Sequence, residues 1–147
     1  MNKNDLVKKL TKRIERMDQS REKEFMDKHS IAYYKYLNEV FDFLNSFTVH
    51  TISWKIVNSG ISVYVTAGKK RQRFISIDYL SNDRLKYEFF YPNAKDKLER
   101  SSFSRRTRDG GADKHYWYYV DNLLLDDEIK QQIRSSYDGK VTSLEKY

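Results

Sequence analysis

Apolar residues recur at the spacing of a helix near the start of the chain and at the spacing of a strand from residue 47 onward. Two stripes have members three or four positions apart, which places each stripe on one face of a helix. The first follows a cap at Asn4 or Asp5 and comprises Leu6, Leu10, Ile14 and Met17. The second follows Ser30 and comprises Tyr34, Leu37, Phe41 and Leu44. We therefore expect residues 1–46 to be helical, with the second helix packed on a sheet.

Five later segments alternate apolar and polar residues with the period of two that strands require. They lie within residues 47–57, 61–66, 73–80, 85–91 and 115–120. The sequence Asn58-Ser59-Gly60 is a turn signal and predicts a hairpin between the first two strands. Since short turns also join the second, third and fourth strands, the sheet is expected to be mainly antiparallel.

Residues 93–113 have no apolar period and are rich in lysine and arginine. We expect a basic loop here, longer than most loops of compact domains and therefore a candidate for function. Acidic residues from Asp126 to Glu128 favour a helix start, and Asp138-Gly139 predicts the end of that helix. The expected fold is one α+β domain over residues 1–147, with two N-terminal helices in 1–46, a five-stranded mainly antiparallel sheet in 47–122 and one C-terminal helix in 125–138.

Composition limits the chemistry that the chain can perform. It has 147 residues and no cysteine, which excludes a disulfide framework, a cysteine nucleophile and a thiolate metal site and fits a cytoplasmic location. The three histidines, His29, His50 and His115, do not stand at metal-ligand spacing. Nucleophile-elbow and phosphate-loop motifs are absent, as is the strand-borne acid-x-Lys pattern of metal-dependent nucleases. The sequence predicts no cofactor, no metal and no segment that spans a bilayer.

The positive charge is concentrated in one part of the chain. Residues 68–108 contain twelve basic and five acidic side chains, and twelve minus five equals the net charge of +7 for the whole chain. Such an uneven basic field favours an anionic partner. The basic residues of interest form two clusters, Lys69, Lys70, Arg71 and Arg73 in the first, and Arg100, Arg105, Arg106 and Arg108 in the second.

Aromatic residues interleave with these clusters and extend the candidate site. His115 and Trp117, on the last expected strand, complete the set of candidate binding residues. Other rings that could stack on bases are Tyr64, Tyr87, Tyr91, Tyr116 and Tyr119, although strand aromatics commonly belong to a core. Lysine and arginine bind phosphates by charge, and rings stack on unpaired bases. The leading hypothesis is therefore a non-enzymatic protein that binds nucleic acid with a basic face.

A segment near the C-terminus resembles a known family. Lys114-His115-Tyr116-Trp117-Tyr118-Tyr119-Val120 is followed by Leu125-Asp126-Asp127-Glu128-Ile129 and then by Ile133-Arg134-Ser135-Ser136-Tyr137. Residues 114–138 resemble the C-terminal strand-and-helix unit of the MmcQ/YjbR family and are similar to the corresponding end of DUF5655-type domains. The resemblance implies a small α+β protein with an antiparallel sheet and flanking helices, and DNA binding has been suggested for the first family. It implies no active-site residues.

Two other functions are compatible with the same sequence. The first is a phage or mobile-element inhibitor, similar to an anti-CRISPR protein, whose basic loop binds a host defence protein that itself binds nucleic acid. The second is a metal-free ribonuclease of the toxin type. Its candidate residues, Arg105, Arg106, Arg108, His115 and Tyr116, would deprotonate a 2′-hydroxyl and stabilise the charge on the phosphorane.

Overall fold

The computed structural model describes residues 2–14, 24–25, 27–57, 60–90, 104–107 and 114–145, of which 57, 104–107, 114–117 and 143 are described by their backbone alone. The helices are α1 (Lys3–Thr11), α2 (Ile31–Phe47) and α3 (Asp127–Glu145). The strands are β1 (Thr51–Val57), β2 (Gly60–Ala67), β3 (Lys70–Tyr79), β4 (Leu85–Phe90), β5 (Ser104–Thr107) and β6 (Lys114–Val120). They form one sheet in the order β1-β2-β3-β4-β6-β5, with every neighbouring pair antiparallel.

The strand register builds one continuous apolar face. Trp54 pairs with Val63, Val63 with Ile75, and Ile75 with Phe89, so these side chains form a row across four strands. Side chains alternate between the two faces of a strand. The residues two positions away from this row on each strand therefore project to the same side. All four residues of this row are buried. We call this side of the sheet the inner face and the opposite side the outer face.

Helix α2 covers the inner face through aromatic contacts. The ring centroids of Phe41 and Trp54 are 3.3 Å apart. The hydroxyl groups of Tyr36 and Tyr87 are hydrogen-bonded at 2.5 Å in the buried core. The wide apolar stripe of this helix therefore packs on the sheet, as its spacing predicted.

Helices α3 and α1 complete the same layer. Tyr137 of α3 packs edge-on against Phe74 of β3 and Phe47 of α2, with ring centroids 5.7 Å and 5.4 Å apart. Helix α1 lies on α2, where the side-chain amide of Asn38 donates to the Leu6 carbonyl at 3.3 Å. The result is an α+β fold with two layers, helices on the inner face and the sheet beneath them.

Side-chain caps fix where the helices begin. The Ser30 hydroxyl accepts a hydrogen bond from the Tyr33 amide at 3.2 Å, and the Asp126 carboxylate accepts one from the Ile129 amide at 2.8 Å. Both caps satisfy amides that the first turn of a helix leaves without partners. The cap of α1 is Asn2, which accepts from the Asp5 amide at 2.9 Å, rather than the expected Asn4 or Asp5.

The sheet has a sixth strand beyond the five that were expected. Strand β5 lies inside residues 93–113, which we expected to be a loop, and pairs with β6 at the edge of the sheet. Its sequence is Ser-Arg-Arg-Thr. A strand with one buried face can be predicted from its alternating apolar and polar residues. A four-residue edge strand without an apolar residue gives no such signal.

Helix α3 continues past its expected end at Asp138-Gly139 and reaches Glu145. Glycine inside a helix costs about 1 kcal/mol relative to alanine. Lys140 and Leu144, which follow on the same side as Tyr137, are buried. The burial of their apolar atoms offsets the cost of the glycine and keeps the chain helical.

Candidate nucleic-acid interface

The positive charge lies in the sheet and not in the helices. The six described strands contain eight basic residues and two acidic ones, eight minus two giving +6. The basic residues are Lys55, Lys70, Arg71, Arg73, Lys86, Arg105, Arg106 and Lys114, and the acidic residues are Asp78 and Glu88. Helices α1, α2 and α3 together contain seven basic and seven acidic residues, a net charge of zero. The two layers of the fold therefore differ in charge, and the sheet is the positive layer.

The β2–β3 hairpin presents the first basic cluster. Ala67 pairs with Lys70, so Gly68 and Lys69 alone form the connecting turn. Gly68 has a φ of 65°, which the first central residue of a type II′ hairpin turn requires and which glycine adopts without strain. Strand β3 thus begins at Lys70, before the expected start at residue 73, and Arg71 lies within it. Lys69, Lys70 and Arg71 are all exposed.

Register places Arg71 and Arg73 on the outer face. Arg73 pairs with Tyr64, whose neighbours Val63 and Val65 point into the core, and Arg71 pairs with Thr66. Alternation therefore directs both arginines, with Tyr64 and Thr66, away from the helices. A β-bulge opposite Val63 and Tyr64 adds Phe74 to β3, so that Phe74 reaches Tyr137 in the inner layer while Arg73 stays outside.

Each of the two arginines lies over an aromatic ring. The guanidinium carbon of Arg71 is 4.3 Å from the centroid of the Tyr64 ring, and that of Arg73 is 4.5 Å from the centroid of the Phe90 ring. Cation–π contacts of this kind contribute about 0.5–1 kcal/mol at exposed sites. They also hold the guanidinium groups against the sheet, because the planar group of arginine stacks on a ring.

The fold brings part of the second basic cluster to the same end of the sheet. Arg106 pairs with His115, and His115 pairs with Phe90, whose ring lies beneath the guanidinium group of Arg73. Adjacent strands are about 4.8 Å apart, which puts the Arg106 backbone about 10 Å from that of Phe90. We call the surface formed by 67–73, Phe90 and the backbone of 104–107 and 114–115 the basic end. Arg100 and Arg108 lie outside the described residues.

Several expected stacking residues do not belong to this surface. Tyr87 is fully buried and hydrogen-bonded to Tyr36, so the interpretation of Tyr87 as a stacking face is wrong. Tyr119 is exposed but pairs with Lys86, towards the opposite end of the sheet. Trp117 pairs with Glu88 and with Ser104, two positions further from the basic end than His115. The backbone of Tyr116 pairs with Phe89 and Arg105, and Tyr91 lies outside the described residues.

Sequence reasoning missed three residues that the outer face adds to the site. Lys55 of β1 pairs with Ser62, which places its exposed side chain on the outer face. Thr66 lies opposite Arg71, and Phe90 supports Arg73. The alternation of apolar and polar residues assigns each of them to a strand but not to a face. The missing information was the register between strands, which decides the face that they share with the arginines.

Acidic residues lie on the outer face beside the basic end, on the side away from the hairpin. The Asp78 carboxylate lies 3.6 Å from the Lys86 ammonium group on the outer face, near the far end of β3 and β4. Glu88 is the other acidic residue of the described strands and precedes Phe90 by two positions on β4. The excess of positive charge on the outer face is therefore displaced towards the hairpin and β1.

Two of the described histidines, His29 and His50, contact the helical layer. His29 lies between Tyr33 and Tyr79, with ring centroids 4.5 Å from each. Burial, followed by the nearby charges of Lys28 and Lys3, lowers the pKa of His29 from 6.5 to about 4. It is therefore uncharged at neutral pH. His50 lies 3.4 Å from Glu145 on the side of the helices.

Neither a metal centre nor a membrane-spanning helix is found in the described parts of the chain. Within them, histidine, aspartate and glutamate do not gather in groups of three or more that could hold a metal ion. None of the helices described there combines the length and the apolar character that crossing a membrane requires.

Comparison with known proteins gives no match, whether to protein-family models, to curated proteins or to solved structures. The resemblance of residues 114–138 to the MmcQ/YjbR and DUF5655-type domains therefore stays a prediction. The chemistry of the site has to be argued from its residues.

Proposed function

We propose that this protein binds nucleic acid through the basic end of its sheet. The observation that carries the proposal is the separation of charge between the layers, +6 on the strands and zero on the helices. The outer-face positions of the strands hold five of the eight basic residues, Lys55, Arg71, Arg73, Lys86 and Arg106. A phosphate backbone is the polyanion that such a surface fits, and its binding gains from the release of condensed counterions.

The proposed binding residues are of two kinds. Lys69 and Lys70 at the hairpin provide point charges, whereas Arg71 and Arg73 provide planar forks held on rings. Arginine at such positions contacts phosphate with two parallel hydrogen bonds. Arg106, which pairs with His115 in the outer row of Phe90, would extend the contact across the sheet to the edge strand. Arg105 pairs with Tyr116, in the row of Phe89, and therefore stands at an inner-face position. A cytoplasmic location is part of the same proposal.

The direct test is binding of a fluorescent oligonucleotide of about 20 nucleotides, followed by anisotropy at about 50 mM salt. The variant Lys69→Gln/Lys70→Gln/Arg71→Gln removes three charges from the hairpin. Its matched control, Lys8→Gln/Lys12→Gln/Lys35→Gln, removes three charges from exposed positions in the helical layer. We expect the hairpin variant alone to lose affinity, by about tenfold or more. Equal losses in the two variants, or no binding by the unmodified protein, would overturn the proposal.

One observation favours a second candidate, the metal-free ribonuclease. Arg106 lies directly opposite His115 in the register of β5 and β6, and Arg105 is its chain neighbour. A histidine base beside an arginine that stabilises the phosphorane is the minimum for such cleavage. The test is incubation of labelled RNA with the protein in a metal chelator. Products ending in a 2′,3′-cyclic phosphate, lost in His115→Ala, would support the enzyme, and intact RNA would leave binding as the function.

A further inference from the structure

We infer that helix α3 positions Arg71 and Arg73 of the basic end from the opposite side of the sheet. Its positioning residues are Tyr137 and Lys140. This inference rests on the proposed function, since it concerns the side chains that orient the same binding surface. It is carried by the β-bulge in β3 and by the contacts that α3 makes with the residues around that bulge.

The β-bulge decides which face the arginines occupy. Neighbouring residues of β2 pair with Ile75 and Arg73, which leaves Phe74 as an extra residue in β3. Ile75 is buried in the row of the inner face. Strict alternation from Ile75 would turn Arg73 to the inner face as well. The extra residue reverses the alternation, so the bulge directs Arg73, and with it Arg71, to the outer face.

The two inward residues that flank Arg73, Gln72 and Phe74, both contact α3. The Phe74 ring packs edge-on against that of Tyr137, with the centroids 5.7 Å apart. The Lys140 ammonium group donates a hydrogen bond to the side-chain oxygen of Gln72 at 3.1 Å. Tyr137 and Lys140 are three positions apart and therefore lie on one face of the helix. One face of α3 thus holds the inward residues on both sides of Arg73.

The strand pairing by itself gives residues 70–74 limited support. The described register between β3 and β4 runs from Ile75 to Tyr79. On the other side, β2 pairs with residues 70–73 next to the two-residue hairpin turn. A two-stranded hairpin is only marginally stable in water. The contacts with α3 therefore help to keep residues 70–74 in the bulged register.

The packing of α3 on the sheet includes buried polar groups that lower its stability. Gln132, Ser136 and Lys140 follow one another at intervals of four residues, and all three are buried. In the described part of the chain, the side-chain amide of Gln132 and the hydroxyl of Ser136 have no hydrogen-bond partner. Such groups lower the stability of the state that buries them, and segments of low stability open locally. We therefore expect a ligand that fixes the bulge to change the opening of α3 measurably.

Coupling between the helix and the arginines must act in both directions. If docked α3 favours the orientation of the arginines that binds nucleic acid, bound nucleic acid favours docked α3 by the same factor. Coupling between two sites typically amounts to about five- to 150-fold. A ligand on the outer face should therefore protect a helix on the inner face.

The first test is amide hydrogen exchange of the unmodified protein, with and without a saturating oligonucleotide of about 20 nucleotides. We expect exchange in α3 to slow by about fivefold or more, and to slow more than in α1, which lies on α2. Equal slowing in both helices is the result of stabilising the whole fold and would overturn the inference. Unchanged exchange in α3 with a bound oligonucleotide would also overturn it and leave the proposed function in place. Failure to bind would overturn both.

A matched pair of variants separates the ring of Tyr137 from its hydroxyl. Tyr137→Leu removes the ring that packs on Phe74. Tyr137→Phe keeps that ring and removes the hydroxyl that accepts hydrogen bonds from the amides of Val49 and His50. We expect anisotropy to show an affinity about fivefold lower in Tyr137→Leu and little changed in Tyr137→Phe. An undiminished affinity in folded Tyr137→Leu, or an equal loss in both variants, would contradict the inference.

Gln72→Leu tests the second contact without changing the charge of the chain. It removes the acceptor for Lys140 and should weaken binding by about two- to tenfold, because α3 no longer holds the residue between the two arginines. Val7→Ala, at a buried position in α1, is the control for a loss of stability alone. Urea unfolding measures the stability of each variant. If Val7→Ala loses as much affinity as Gln72→Leu while both remain folded, the effect is one of general stability and the inference fails.

Discussion

The guanidinium group of Arg73 lies over the ring of Phe90, with its central carbon 4.5 Å from the ring centroid. This contact joins β3 to β4 at the point where β4 pairs with His115 of β6. Phe90 is itself buried beneath the outer face. The ring therefore acts as a platform that fixes a cation in the middle of the basic end.

Replacing that platform should weaken binding without unfolding the protein. Phe90→Leu keeps an apolar side chain but removes the π face, so we expect affinity for nucleic acid to fall about two- to fivefold, the equivalent of about 0.5–1 kcal/mol. Anisotropy measures the affinity, and urea unfolding checks that the fold is kept. An unchanged affinity in a folded variant would show that the position of Arg73 does not depend on the ring.

The hydrogen bond between Tyr36 and Tyr87 should appear as a strong energetic coupling between substitutions of the two residues. Both hydroxyls are buried, and burial raises the pKa of each tyrosine above its ordinary value. Tyr36→Phe or Tyr87→Phe leaves one buried hydroxyl without its partner and should cost about 1–3 kcal/mol of unfolding free energy. The double variant should be less destabilised than the sum of the two single variants. Strictly additive losses in urea unfolding would contradict the coupling.

Stability should fall with acid because of His29. Its pKa is lowered to about 4 in the folded protein, against about 6.5 in an unfolded chain. Between these values the unfolded state binds more protons, so the free energy of unfolding decreases as the pH falls from about 6.5 towards 4. His29→Gln removes this contribution while the carboxylates remain. We expect the stability difference between the two proteins to change across this window, and a constant difference would rule out the effect.

A buried amide in α3 should be replaceable with a gain in stability. Gln132 is 0% exposed, and neither its side-chain nitrogen nor its oxygen has a hydrogen-bond partner in the described part of the chain. Burying such groups without partners costs about 1–3 kcal/mol. Gln132→Met has a similar shape and should raise the free energy of unfolding by about 1–2 kcal/mol. Asn45→Met, at an exposed position in α2, serves as the control and should change little.

Much of the fold could be predicted from periodicity, because burial on one side leaves a regular signal. The stripe from Tyr34 to Leu44 marks α2, and the alternation from Ile61 to Val65 marks β2. Strand β5 left no such signal, since Ser-Arg-Arg-Thr at the edge of a sheet has no apolar side to bury. The extension of α3 beyond Gly139 depends on the burial of Leu144 in the folded protein. Helix propensity along the sequence does not predict that burial.

Of the candidate site, only the concentration of positive charge could be predicted from the sequence. Counting lysine and arginine located the Lys69–Arg73 cluster, but the residue that supports Arg73 is Phe90, on a neighbouring strand. A tyrosine on a strand could equally be core or surface, and register alone distinguishes the buried Tyr87 from the outward Tyr64. The pairing of Arg106 with His115 depends on strand β5, which the periodicity of apolar residues did not predict.

The salt dependence of binding tests the central claim most directly. If the basic end holds a phosphate backbone, the logarithm of the binding constant should fall linearly with the logarithm of the salt concentration. Lys69→Gln/Lys70→Gln/Arg71→Gln should make that slope shallower by about 2, since each lost contact with a single strand removes about 0.7. Lys8→Gln/Lys12→Gln/Lys35→Gln should leave the slope unchanged. A slope that is flat in the unmodified protein, or that changes equally in both variants, would contradict a nucleic-acid interface on this sheet.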